Sequence, residues 1–358
     1  MITRIMDVST EPLDMKCIKE AGKILIDGGL VAFPTETVYG LGGDATDKEA
    51  SKKIYAAKGR PSDNPLIVHI AEFKQLESIA KDLPDTAAKL ANAFWPGPLT
   101  MVVNKNDVIP YETTGGLDTV AVRMPNNPVA LALIKESGCM IAAPSANTSG
   151  RPSPTKASHV YEDLSGKIDA ILDGGEVDIG LESTIVDLTE DVVTILRPGY
   201  INMEMLKQVV GEVRIDPGIV YNDKGTSSGA RPKAPGMRYK HYAPKGDLTI
   251  ISGVEDVVIS TINHKAREAI KNGSKVGIIA TSETANRYTD GQVLIIGDRS
   301  DEGSIAHNLY DILRQFDELN VDIIFSESFA TPNMGQAIMN RLLKAAGQKV
   351  IEVQENML

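Results

Sequence analysis

From Asp247 onward, apolar positions follow two alternating periods. Short runs rich in Ile and Val read as buried strands: Leu248–Ser252, Lys275–Ala280, Gln292–Ile296, Val321–Phe325 and Val350–Val353. Between them, Val254–Lys271, Ser304–Leu319 and Gly335–Ala346 read as helices. In the second of these, Ile305, Leu309, Ile312, Leu313 and Phe316 share one face. Strand–helix alternation predicts a parallel sheet with helices on both faces, so this part reads as a small Rossmann-like domain.

The first 211 residues are less regular. Helices are expected at Cys17–Asp27, Ala50–Ala57, Thr86–Phe94 and Asn127–Ser137. Strands are expected at Leu30–Phe33, Leu66–Ile70, Leu99–Val103, Val120–Arg123, Met140–Ala142, Ile168–Leu172, Ser183–Asp187 and Val192–Leu196. This is α/β, with polar, Gly/Pro-rich connections of the kind that carry sites. Gly40-Leu41-Gly42-Gly43-Asp44-Ala45 fits a dinucleotide fingerprint in spacing, but it does not leave a strand directly. It reads as a glycine-rich turn.

The chain has 358 residues, which fits two domains, and its 42% apolar and 24% charged residues are an ordinary globular mix. Residues 212–246 concentrate Pro and Gly and read as an irregular connector. The expected division is 1–211, a connector at 212–246, and 247–358. No apolar run reaches the roughly 18–20 residues that span a bilayer. No signal-like stretch opens the chain, so a cytoplasmic protein without membrane contact is expected. Cys17 and Cys139 form no CxxC and no zinc framework.

Charge alters the picture. The net charge is −11, yet residues 212–246 hold 7 basic and 3 acidic residues. A basic connector thus joins two acidic bodies. An acidic chain with only 5% aromatic residues argues against an RNA-coating module, for which a steep salt dependence of RNA binding would be the signature.

Candidate chemistry gathers at strand and helix ends. Phe33–Gly42 places two hydroxyls, a carboxylate and a phenol behind a strand. Lys58-Gly59-Arg60-Pro61 offers a point charge and a fork, suited to a polyphosphate or to a solvated helix end. Arg123 interrupts an apolar strand and needs an anion, from the protein or from a substrate. Pro144–Gly150, with Ser153, is hydroxyl-rich and acid-free, and Arg197 ends another strand. There is no P-loop and no HExxH. If Lys58, Arg60, Arg123 and Arg197 converge, they form a pocket for a strongly anionic ligand.

These segments, with Asn64-Pro65-Leu66, Trp95–Thr100, Val122–Pro125, Leu181–Asp187 and Leu196–Gly199, resemble the YrdC-like domain. With the Ala234–Pro244 stretch and the C-terminal α/β part, the chain resembles the two-domain threonylcarbamoyl-AMP synthase family almost throughout. The resemblance implies a twisted, open YrdC-like α/β sheet domain followed by the Rossmann-like one. It implies a nucleotidyltransferase that makes threonylcarbamoyl-AMP from L-threonine, bicarbonate and ATP, with Mg²⁺ accompanying ATP. The product would pass to a separate tRNA threonylcarbamoyl transferase, with tRNA met only indirectly.

Carried over by residue, Lys58 and Arg60 are the expected catalytic pair. The ATP site is expected at Lys58, Arg60, Asn64, Thr119, Ser145, Asn147, Ser153 and Arg197, with Arg238, His241 and Tyr242 of the connector folding over it. Thr37, His69, Arg123, Ala143 and Ser183 are expected to hold threonine, with Arg123 taking its carboxylate. Such a lid would exclude water from a labile mixed anhydride. A carbamoyl enzyme of the hydrogenase-maturation type also carries a YrdC-like domain. It needs a zinc-finger-like module that two cysteines cannot supply.

Overall fold

The structure, a computed structural model, describes residues 2–220, 242–329 and 334–354. Their contacts divide them into two units. The first holds the described residues up to 220 except Gly150–Pro152, and the second holds Gly150–Pro152 and everything from 242.

The first unit runs β1 (Arg4–Asp7), α1 (Met15–Ile26), β2 (Val31–Phe33), β3 (Gly40–Asp44), α2 (Lys48–Lys58), β4 (Ile67–His69), α3 (Phe73–Ile79), α4 (Asp85–Phe94), β5 (Leu99–Asn104), β6 (Thr119–Arg123), α5 (Pro128–Ser137), β7 (Ile141–Ala143), α6 (Ala157–Leu164), β8 (Ala170–Asp173), β9 (Thr184–Asp187), β10 (Val193–Arg197), α7 (Met203–Val210), β11 (Val213–Ile215) and α8 (Pro217–Val220). The strands form one mixed 11-stranded sheet in the order β1-β8-β2-β3-β7-β4-β6-β5-β9-β10-β11.

Local chemistry explains the element ends. Asp14 caps α1 by accepting from the Lys16 and Cys17 amides, and Ile18, Ala21, Gly22 and Leu25 then share its buried face. Asn127 caps α5, with Pro128 pre-set at its first position. Gly59 ends α2 in the left-handed region at φ 62°, which glycine adopts without strain. The two helical layers bury separate apolar clusters. One is built on Leu41, Ile54, Val68, Leu99 and Val122, the other on Ile18, Leu25, Phe33, Leu133 and Leu172.

Gly40–Asp44 differs from expectation, being a buried strand and not a turn. It pairs antiparallel with β2 and with β7. A Cβ on Gly42 would lie 2.7 Å from Ile141 Cγ2 and 2.9 Å from Phe33 Cε1. The glycines are there for close approach of neighbouring strands. The connector expected to be irregular from 212 begins with regular structure. Val213 and Ile215 alternate about exposed Arg214, and β11 pairs parallel with β10.

The second unit runs β12 (Asp247–Gly253), α9 (Glu255–Lys271), β13 (Val276–Thr281), a short 3₁₀ turn at Ala285–Arg287, β14 (Gln292–Gly297), α10 (Glu302–Glu318), β15 (Ile323–Glu327), α11 (Gly335–Ala345) and β16 (Val350–Val353). Its five strands are all parallel, in the order β14-β13-β15-β12-β16. This is the Rossmann-like arrangement expected from the alternating pattern. Within it, Arg314 of α10, fully buried, donates to Pro152 O at 2.6 Å, and the Ala243 amide donates to Gly150 O at 2.9 Å. Among the described residues, no helix is long and apolar enough to cross a membrane.

Candidate active site

Strand register gathers the first group of candidate residues. His69 ends β4 and pairs with Arg123, which ends the parallel neighbour β6. Arg123 also faces Thr100 near the start of antiparallel β5. Leu99 of β5 pairs with Thr184 of β9, so Ser183 stands just before that strand. On the other flank, Ala143 ends β7 in register with Ile67. His69, Arg123, Thr100 and Ser183 therefore meet because neighbouring strands start or stop at one level, whereas Ala143 stands at the opposite end of β4 from His69.

Arg123 is the centre of this group. It is 3% exposed, and its Nη1 donates to Thr37 Oγ1 at 2.8 Å while Nε donates to Gly97 O at 3.3 Å. Its Nη2 lies 2.6 Å from Glu36 Oε2. Thr37 is set by a tight turn in which the Thr35 hydroxyl accepts from the Thr37 and Val38 amides and donates to Val38 O. His69 is buried, and its Nδ1 lies 3.1 Å from Ile67 O. Burial first, then the Arg123 charge, push its pKa down from 6.5 to about 3. The imidazole is thus neutral at physiological pH, with Nδ1 facing Ile67 O.

The second group surrounds Lys58. The left-handed Gly59 turns the chain so that Lys58 closes α2 and Arg60 starts the next loop. Lys58 is buried, and its ammonium donates to the carbonyls of Ser145 and Asn147 and, at 3.4 Å, to Asn147 Oδ1. The Ser145 hydroxyl donates to the same Asn147 oxygen. Arg60 donates to Asn64 O at 3.4 Å and Pro65 O at 3.3 Å, so Asn64 joins this corner. The Ser149 amide donates back to Lys58 O at 2.9 Å, closing the loop on the helix.

The two groups meet along the backbone, where the Ala146 amide donates to Tyr39 O at 2.8 Å, and a further contact extends the first group. Arg197, at the end of β10, donates through Nε to Ser183 O at 3.0 Å and through Nη2 to Ser183 Oγ at 3.1 Å. Ser183 Oγ is also 2.7 Å from Thr100 Oγ1. The Ser153 hydroxyl, fully buried, donates to Glu182 at 2.6 Å. Ile67, Val102, Ala121, Ile185 and Leu196 pack as a separate apolar cluster. Thr119, Ala121 and Arg123 point to one face of β6 by strand alternation, with Thr119 at the far end of the strand.

Tyr242 belongs to the second unit, where it is buried and stacks on Tyr310 at 5.1 Å between ring centroids. Arg238 and His241, with the rest of the proposed lid, lie outside the described residues. Tyr39 is structural, as its hydroxyl donates to Gly175 O at 2.6 Å and accepts from the Gly174 amide. Among the described residues, no group of three or more His, Cys, Asp or Glu could hold a metal ion. Two participants carried no assigned role in the sequence, Thr100 and Glu182, while Glu36 read there as a candidate base or Mg²⁺ partner. Thr100 had a legible signal, a hydroxyl inside the apolar run Leu99–Val103.

Comparisons with known proteins show the family. A family model described as "Telomere recombination" matches residues 23–199, and one described as "Threonylcarbamoyl-AMP synthase, C-terminal domain" matches residues 201–347. The Threonylcarbamoyl-AMP synthase of Pyrococcus abyssi is 49% identical over 94% of this chain and 96% of its own. The chain belongs to the threonylcarbamoyl-AMP synthase family. The Bacillus subtilis member is 48% identical over 93% of this chain and 94% of its own. The structure of Pyrococcus abyssi Sua5 complexed with L-threonine superimposes with a TM-score of 0.91 at 47% identity, covering 98% of this chain and 100% of that one. Like other threonylcarbamoyl-AMP synthases, the chain is an enzyme of the nucleotidyltransferase type.

Proposed function

We propose that the chain makes threonylcarbamoyl-AMP from L-threonine, bicarbonate and ATP, in the first unit. The observation that carries this reading is the bond from the Ala146 amide to Tyr39 O at 2.8 Å. It joins the segment that presents Thr37 to Arg123, a pocket that suits an amino acid carboxylate, to the Ser145–Asn147 loop that holds Lys58, a corner that suits a triphosphate.

In this reading Arg123 pairs with the threonine carboxylate, and Thr37, Ser183 and neutral His69 receive its polar groups beside Ala143. Lys58, Arg60, Asn64, Thr119, Ser145, Asn147, Ser153 and Arg197 hold the nucleotide. Threonine's amine combines with bicarbonate to give an N-carboxylate and water. One carboxylate oxygen then attacks the α-phosphorus of ATP, and the bond to pyrophosphate breaks. The protein contributes alignment and charge without a covalent nucleophile. Mg²⁺ arrives with the triphosphate, whose oxygens and water are its usual partners, and lowers its charge. Lys58 and Arg60 are the residues placed to stabilise charge on the transferring group. The product then supplies a separate transferase for threonylcarbamoyladenosine formation in tRNA.

The test is product analysis by mass spectrometry with unlabelled and ¹³C-labelled bicarbonate. The expected product appears only with threonine, bicarbonate and ATP together, and gains about one mass unit with the label. An adenylate that forms without bicarbonate, or carries no label, would overturn the reading.

A further inference from the structure

Glu36 is a buried carboxylate that the reaction above leaves without a role. It is 4% exposed and sits between Thr35 and Thr37, in the turn that also presents Thr37 to Arg123. Its own carbonyl accepts from the Ile179 amide at 2.8 Å, which fixes the backbone beneath it. By distance it pairs with Arg123, at 2.6 Å. Neither Glu36 oxygen nor Arg123 Nη2, however, makes an aligned hydrogen bond. Hydrogen bonds weaken steeply off axis, so the contact is an ion pair with hydrogen-bonding capacity to spare. Buried polar atoms are almost always satisfied, because leaving one without a partner forfeits its hydration for nothing in return. A buried cation and anion, side by side with unused hydrogen-bonding capacity, match a ligand that carries both charges.

Threonine is such a ligand. Resting on the function proposed above, we propose that Glu36 is the anionic half of the threonine site and accepts hydrogen bonds from its α-ammonium group, while Arg123 takes the carboxylate. Glu36 and Arg123 together then select α-amino acids over acids of the same skeleton without the amine.

The test compares wild type with Glu36→Gln by calorimetry, using L-threonine, the matching 2,3-dihydroxybutanoate and ATP as ligands. The ratio of threonine to dihydroxybutanoate affinity is the readout, because general loosening of the pocket weakens both ligands alike. Loss of one charge-assisted hydrogen bond should lower that ratio by about tenfold or more, with ATP affinity unchanged. A ratio that stays at the wild-type value overturns the proposal. Should Glu36→Gln fail to fold, Glu36→Asp takes its place, keeping the charge one methylene back. Its carboxylate sits too far back for the same hydrogen bond, so the ratio should again fall, and a ratio at the wild-type value overturns the proposal. Wild-type protein that binds no threonine at all would instead sink the underlying function.

Discussion

Lowering the pH from 7.5 to 5.5 should destabilise the first unit through His69, and the structure sets the size of the effect. In the unfolded chain this imidazole takes a proton near pH 6.5, whereas in the folded protein burial and Arg123 hold it neutral until about pH 3. Below 6.5 the unfolded state therefore binds more protons, and stability falls as pH falls. The contribution is fully present above 6.5 and is lost progressively on the way down to about 3. Between pH 7.5 and 5.5 the loss is about 1.4 kcal/mol. The assay is urea denaturation followed by the fluorescence of Trp95, the chain's one tryptophan, whose indole N–H donates to Leu99 O at 2.7 Å inside this unit. Wild type and His69→Gln are each measured at both pH values. The other histidines and all carboxylates are common to both proteins and cancel in the difference. The variant should lose about 1.4 kcal/mol less than wild type over this range. Equal losses would refute the claim that His69 is held neutral.

Two further outcomes follow from named contacts. Gly42→Ala should cost about 1–3 kcal/mol in the same denaturation assay, because its methyl group would press into Ile141 and Phe33. Arg197→Met should raise the KM for both ATP and threonine, by about tenfold or more, since Arg197 holds Ser183 by two bonds. A rise for ATP alone would show that Ser183 keeps its place without Arg197.

The alternating C-terminal pattern was legible because each strand there is a short, continuous apolar run, and each longer helix shows a single face. Buried parallel strands leave that signature. The first sheet was harder to read. Strand β3 is Gly-rich, and its packing depends on Ile141 and Phe33, both distant in sequence. Strands β1 and β11 lie at the two edges of the sheet, where short strands with exposed residues carry little pattern. Site residues were legible where charge broke an apolar run, as with Arg123, or crowded a glycine, as with Lys58 and Arg60. Glu36 was visible as a residue but not as a partner. Its pairing with Arg123 depends on the turn made by Thr35, and only the folded chain shows that its oxygens lack aligned bonds.

The most direct measurement of the central claim is pyrophosphate release from ATP, with threonine and bicarbonate each present and then omitted, for wild type, Lys58→Ala and Arg60→Ala. The account predicts release that requires both co-substrates and is lost in both variants, while threonine binding to the variants persists. Release that ignores threonine or bicarbonate, or that survives loss of Lys58 and Arg60, would contradict it.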